Sequence, residues 1–288
     1  MAGSTAGSAG ASAASGAARI VGVHGIGKYD YYLEAGRSVA GAAEAMRLKW
    51  DRYLQASLGG PGRAYFSEVA YFSHVLKEDD ELADPRRFAA MEASTQQVVS
   101  GWAANLGFGE HFTGALKSFT GWLLTRLDRR SAAFAELFAP EVAVYLADQA
   151  KRERARQLVA DVIRKNRPKV VIAHSLGSVV AYETLWAHPD LEVDLLLTLG
   201  SPLGMRNVVF ERLLPAPING RGERPKGVRR WVNIADKDDI AAIPPALASS
   251  FTGVDVEELV NLDWIDFHTA EKYLGCPALH PHLRPFLG

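Results

Sequence analysis

The chain has 288 residues, and 32 Lys and Arg against 33 Asp and Glu leave a formal net charge of −1. That balance excludes the counterion-driven affinity of a nucleic-acid-binding protein. A single cysteine, Cys276, excludes an internal disulfide and a cysteine-based metal cluster, and fits a reducing compartment.

Residues 1–18 are Ala, Gly, Ser and Thr behind Met1, with no Lys or Arg and no Leu-rich stretch. They read as a disordered tail rather than a secretory signal. No apolar run approaches the roughly 18–20 residues that span a bilayer, so a soluble, cytoplasmic chain without a transmembrane segment is expected. Residues 19–288 are long enough for one α/β domain with an insertion.

Arg19-Ile-Val-Gly-Val-His-Gly-Ile-Gly27 is a short apolar run ending in glycines, the pattern of a buried strand that stops in a backbone-rich loop. From Arg37 to about Ser57, Val39, Ala43, Met46, Trp50, Tyr53 and Leu54 make one helical face. Gly59-Gly60-Pro61 stops it, and Ala64 to Phe72 reads as the next strand. Residues 75–166 carry helical patterns only, broken near Asp84-Pro85, Gly107-Phe108-Gly109 and Pro140. This helical insertion holds Phe108, Phe112, Leu116, Phe119, Trp122, Leu123 and Leu127, more apolar bulk than an isolated surface helix needs. Ordinary packing onto the sheet, a lid or acyl-binding wall, and a membrane or partner surface all account for it.

Lys169 to Ala173 reads as a strand, Ser178 to Ala187 as a helix, and Leu191 to Leu199 and Arg230 to Ala235 as further strands. A weaker strand near Glu258 to Leu262 precedes Asp266-Phe-His268. Strands alternating with helices imply an α/β fold with a mostly parallel central sheet flanked by helices.

The triplet Ser-x-Gly occurs at Ser8, Ser57 and Ser175. Only Ser175 stands between a buried strand and a helix, where a sharp turn pushes a serine hydroxyl above the sheet edge. Gly177 is one small residue that makes such a turn feasible. His174-Ser-Leu-Gly-Ser-Val-Val-Ala-Tyr182 resembles the nucleophile segment of α/β-hydrolase esterases and lipases, with Ala173 where the family usually has glycine. The likeness runs from about Arg19 to His268, outside the tail and most of the insertion.

The resemblance implies an α/β-hydrolase fold with a helical insertion before the nucleophile strand. It also implies a serine hydrolase that cleaves a carboxylic ester or related acyl bond of a small-molecule or lipid substrate, with no metal or organic cofactor. A thioesterase, an acyltransferase and a non-catalytic binding protein on the same fold are the alternatives.

Acyl transfer needs two preset N–H donors for the developing oxyanion. Leu176, next after the nucleophile, offers one. His24-Gly25-Ile26-Gly27 resembles the His-Gly-x-Gly loop of lipases, which makes Ile26 the second. The loop lacks the phosphate-cradling patterns of nucleotide sites. His24 is expected to hold the loop by a hydrogen bond.

In this fold the order is Ser, then Asp or Glu, then His. Asp236, Asp238 and Asp239 compete for the acid. The segment resembles the family stretch whose last acidic residue before an apolar pair is catalytic, which selects Asp239, with Asp236 next and Asp238 third. Of the later histidines, His268 begins His-Thr-Ala-Glu-Lys-Tyr273, which resembles the family's histidine, small residue and tyrosine at a helix start. His280 and His282 sit in a Pro-flanked tail and are expected at the surface. Ser201-Pro-Leu-Gly204 resembles the Gly-Ser-Pro loop bordering a lipase pocket, and Arg206 beside it reads as a solvated loop residue.

Overall fold

The computed structural model describes residues 19–59, 64–77, 85–107, 115–126, 129–262 and 268–287. The expected disordered tail, Phe108, Phe112 and Leu127 of the insertion, and Asp266 and Phe267 lie outside the described residues.

In chain order the elements are β1 (Ile20–Val23), α1 (Tyr29–Glu34), α2 (Val39–Leu58), β2 (Phe66–Ala70), α3 (Ser73–Leu76), α4 (Pro85–Asn105), α5 (Leu116–Arg126), α6 (Arg129–Ala147) and α7 (Gln149–Asn166). They continue with β3 (Val170–His174), α8 (Leu176–Ala187), β4 (Val193–Leu199), β5 (Gly222–Glu223), β6 (Val228–Asp236), β7 (Phe251–Thr252), β8 (Val256–Val260), α9 (Ala270–Leu274) and α10 (His280–Leu283). Six strands form one sheet in the order β2-β1-β3-β4-β6-β8, with every neighbouring pair parallel. The β5 and β7 strands make a separate two-stranded pair. The architecture is therefore α/β, with a parallel central sheet flanked by helices.

The central strands β1, β3 and β4 are buried on both faces, which is why they read as continuous apolar runs rather than alternating ones, while the edge strand β8 is only partly covered. Successive residues still divide by face. Val21, Val23, Val171, Ala173 and Leu196 enter one core with α4 to α8. Ile20, Val170, Ile172, Leu195 and Leu197 enter the other, with α2, α9 and α10. Strand order reverses between β2 and β3, on either side of β1. The C-terminal ends of β1 and β3 thus flank the crevice that open parallel sheets use for ligands.

Three features of the fold differ from the sequence-based expectation. Pro140 does not break the insertion; α6 runs through it. A proline costs a helix one hydrogen bond and crowds the carbonyl four residues back, and Glu136 at that position is exposed. Phe138, Ala139, Val142 and Ala143, all fully buried, hold both halves to the core. The break falls instead at Asp148, whose side chain accepts from the Lys151 N–H and caps α7. Second, α7 packs against β2, β1 and α8, so it is the crossover helix into β3, and the segment lying over the sheet edge is α4 to α6. Third, His282 is buried. Leu279 and Leu283 anchor the C-terminal turns in the core, so His282 lies between Arg230 Nη2 and Glu258 Oε1, each at 3.3 Å.

Candidate active site

At the end of β3 the chain turns sharply. Ser175 has φ 56° and ψ −134°, a left-handed conformation that costs a non-glycine residue roughly 1–3 kcal/mol. Surrounding bonds hold it there. The Ser175 N–H donates to Leu199 O at 3.0 Å, and its carbonyl accepts from the Ser178 N–H at 2.9 Å and the Ser178 hydroxyl at 2.6 Å. The Ser178 hydroxyl also meets Ser201 Oγ at 2.7 Å, which ties the Ser201-Pro-Leu-Gly204 loop to the turn. Ala173, in the glycine position of the resemblance, buries its methyl group without exposure.

Two glycines let α8 approach the loop after β1. A Cβ on Gly177 would lie 2.2 Å from His24 O and 2.5 Å from Val23 O, both immovable backbone atoms. A Cβ on Gly25 would lie 2.6 Å from Ser175 Cβ. The loop and the helix start are therefore in direct contact. Among the described residues, no acceptor takes the N–H of Ile26 or of Leu176.

His24 is locked beneath the loop. Its Nδ1–H donates to Gly25 O at 2.6 Å, and its Nε2 accepts from the Phe72 N–H at 3.0 Å. Burial drives its pKa down to about 3, the bond to Gly25 only partly opposing, so the ring is a neutral strut. Glu141 of α6 holds the loop from the other side, receiving the Gly27 N–H at 3.1 and 3.0 Å and facing Lys77 Nζ at 3.5 Å. Burial raises the Glu141 carboxyl above its ordinary value, with the Gly27 N–H and Lys77 opposing.

His268 joins the turn to the loop after β6. Its Nε2 lies 2.7 Å from Ser175 Oγ, and its Nδ1 lies 2.7 and 2.9 Å from the two oxygens of Asp239. Asp239 also accepts from Tyr273 OH at 2.7 Å and from the Ala241 N–H at 2.9 Å. Tyr273 in turn accepts from the Asp236 N–H at 2.9 Å. Burial, then the Asp239 charge, raise the Tyr273 hydroxyl well above its ordinary value, which keeps it a donor. Ser175, Asp239 and His268 are all buried.

Asp236 and Asp238 do not join them. Asp236 accepts from the Asp238 N–H at 2.8 Å and from the Leu262 N–H, tying β6 to the segment after β8, while the Asp238 side chain is exposed. Arg206 stacks on Phe210 at 3.8 Å, away from Ser175. Among the described residues, no group of three or more His, Cys, Asp or Glu is placed to hold a metal ion, and no helix is long and apolar enough to cross a membrane.

A cavity of about 370 Å³ opens beside Ser175, walled by Ser175, His174 and His268, by α1 and α2, and by Phe134 and Leu137 of α6. The Phe134 ring lies 4.6 Å from the His268 ring. Sequence reasoning assigned no role to Tyr273, although it lay in the quoted pattern, and none to Glu141 or Trp102. Trp102 Nε1–H donates to Ile240 O at 2.7 Å, which fastens α4 to the Asp239 loop. No protein-family model matches the sequence, and no curated protein or solved structure matches it either.

Proposed function

We propose that the chain is a serine hydrolase of the α/β-hydrolase type that cleaves a carboxylic ester through an acyl-enzyme on Ser175. The observation that carries the reading is the continuous line of contacts from Asp239 through His268 to Ser175 Oγ. A serine alcohol is a poor nucleophile at neutral pH until an imidazole takes its proton, and a carboxylate on the far nitrogen fixes the tautomer that can do so.

Ser175 Oγ attacks the ester carbonyl carbon as its proton passes to His268 Nε2. The new oxyanion receives hydrogen bonds from the Ile26 and Leu176 N–H groups, which have no competing acceptor in the free protein among the described residues. His268 returns the proton to the leaving alkoxide as the C–O bond breaks. Water then attacks the acyl-enzyme, giving its proton to His268, and the acid leaves as Ser175 regains a proton. Asp239, which accepts from His268, Tyr273 and the Ala241 N–H, faces the imidazolium as it forms.

The test is labelling by a fluorophosphonate, with the adduct located by mass spectrometry. Ser175 is fully covered, so the wild type is labelled alongside Phe134→Ala, which thins the cover. The expected result is an adduct on Ser175 in both and none in Ser175→Ala. Folded protein that takes no label in either form overturns the reading.

A further inference from the structure

The cavity beside Ser175 is not a uniformly greasy slot. Met46, Trp50 and Tyr53 of α2 supply apolar wall, but Lys28 at the start of α1 and Lys49 of α2 line the same space. Among the described residues, neither lysine has a carboxylate within ion-pair distance. Glu141 acts on Lys28 only through space, as the last and opposing influence on it, its oxygens being taken by the Gly27 N–H and Lys77, and Glu271 stands exposed at the rim. Asp239 is spent on His268 and Tyr273.

Lys28 is held below the ordinary lysine value, first by burial and then by repulsion from Lys49. Lys49 stays charged through the Tyr31 hydroxyl and, less strongly, Tyr53. Two ammonium groups that repel each other across one cavity are an unfavourable arrangement that a single bound anion reverses at both ends. An uncharged acyl chain filling the same space would strip water from both and return nothing.

We propose, on the hydrolase reading above, that the ester substrate carries an anionic oxygen group, carboxylate or phosphate, on an apolar stem, and that Lys28 and Lys49 receive it. The stem lies along Met46, Trp50 and Tyr53, and the anionic head sits between the two ammonium groups. Lysine suits this task as a compact point charge with rotatable donors. Lys28 and Lys49 are thus specificity-determining residues, separate from the atoms that react.

The experiment compares matched esters in the full-length protein. Monomethyl adipate against methyl hexanoate puts the charge on the acyl side, and ω-acetoxyhexanoate against hexyl acetate puts it on the alcohol side. The ω-acetoxyhexyl phosphate ester separates phosphate from carboxylate. At least one anionic ester is expected to exceed its neutral partner by roughly tenfold in kcat/KM, the scale of a charge-assisted contact. That ratio is expected to fall towards one in Lys28→Gln and in Lys49→Gln, mainly through KM, and to survive in the Arg variants, which keep the charge. A Ser175 that takes the fluorophosphonate while no anionic ester is preferred, or a preference that neither Gln variant moves, overturns this inference alone. A Ser175 that takes no label overturns the hydrolase reading with it.

Discussion

The sheet edge that carries Ser175, Asp239 and His268 and the helices α4 to α6 that cover it are held by opposite kinds of contact. At the edge nearly every group is fixed by directed bonds to particular atoms: Ser175 by Leu199 and Ser178, Asp239 by Tyr273 and Ala241, the loop after β1 by His24. The cover is held mostly by ring packing, with Trp102 against Phe119 and Phe138 at centroid distances of 5.1 and 4.7 Å. Directed bonds specify position to a few tenths of an ångström, whereas apolar packing tolerates exchange at constant volume. Among the polar contacts that join the regions, Glu141 reaches Gly27 and Trp102 reaches Ile240. Each of these two ends on the backbone of a loop beside Ser175 or Asp239.

That contrast can be broken at three points. The largest effect is expected from Phe138→Ala, which empties a fully buried ring site in α6; it should lower unfolding free energy by about 3–5 kcal/mol. Denaturant titration measures the loss, and the molecules that remain folded should still label at Ser175. A fall in labelling per folded molecule would mean that the cover shapes the reacting geometry through packing too.

The strut beneath the loop offers the next. His24 stays neutral in the folded chain down to about pH 3 but takes a proton near pH 6.5 when unfolded. Its folded pKa is depressed, so its contribution is complete above pH 6.5 and is lost as pH falls towards 3. At pH 5 the loss is about 2 kcal/mol. The stability gap between wild type and His24→Gln should therefore shrink on acidification from pH 7 to pH 5; a constant gap would show that His24 is protonated in the native state.

The smallest effect tests a link between the regions. Glu141→Gln keeps one acceptor for the Gly27 N–H but removes the charge facing Lys77. On the hydrolase reading turnover should fall about tenfold with KM little moved, because the bond aligns the loop that carries the Ile26 N–H. An unchanged turnover would reduce Glu141 to a structural contact.

Much of the edge was legible because its signals are local. β1, β3, β4 and β6 announce themselves as short apolar runs, and the turn at Ser175 by its setting between strand and helix. The choice of Asp239 over Asp236 needed the resemblance, since three carboxylates share one turn and composition cannot rank them. The structure divides them by hydrogen bonding. The cover was less legible because its contacts are distant in sequence. Glu141 reaches Gly27 across 114 residues and Trp102 reaches Ile240 across 138, and neither carries a mark in its own neighbourhood. Pro140 was misleading for the converse reason: a local rule gave way to the packing of both flanks. Lys28 shows only as one more surface-type residue until the cavity is closed around it.

Asp236 has a consequence for anyone who looks for the acid by substitution. Its carboxylate grips the Leu262 N–H, six positions ahead of His268, while its own N–H grips the tyrosine that serves Asp239. Alanine there gives up the grip on Leu262 but keeps the backbone N–H on Tyr273, so an alanine scan should score Asp236 through the anchoring of Leu262 to the end of β6, although its carboxylate is bonded to neither Ser175 nor His268. On the hydrolase reading, two carboxylates three residues apart will show different phenotypes, Asp239 in turnover and Asp236 in stability.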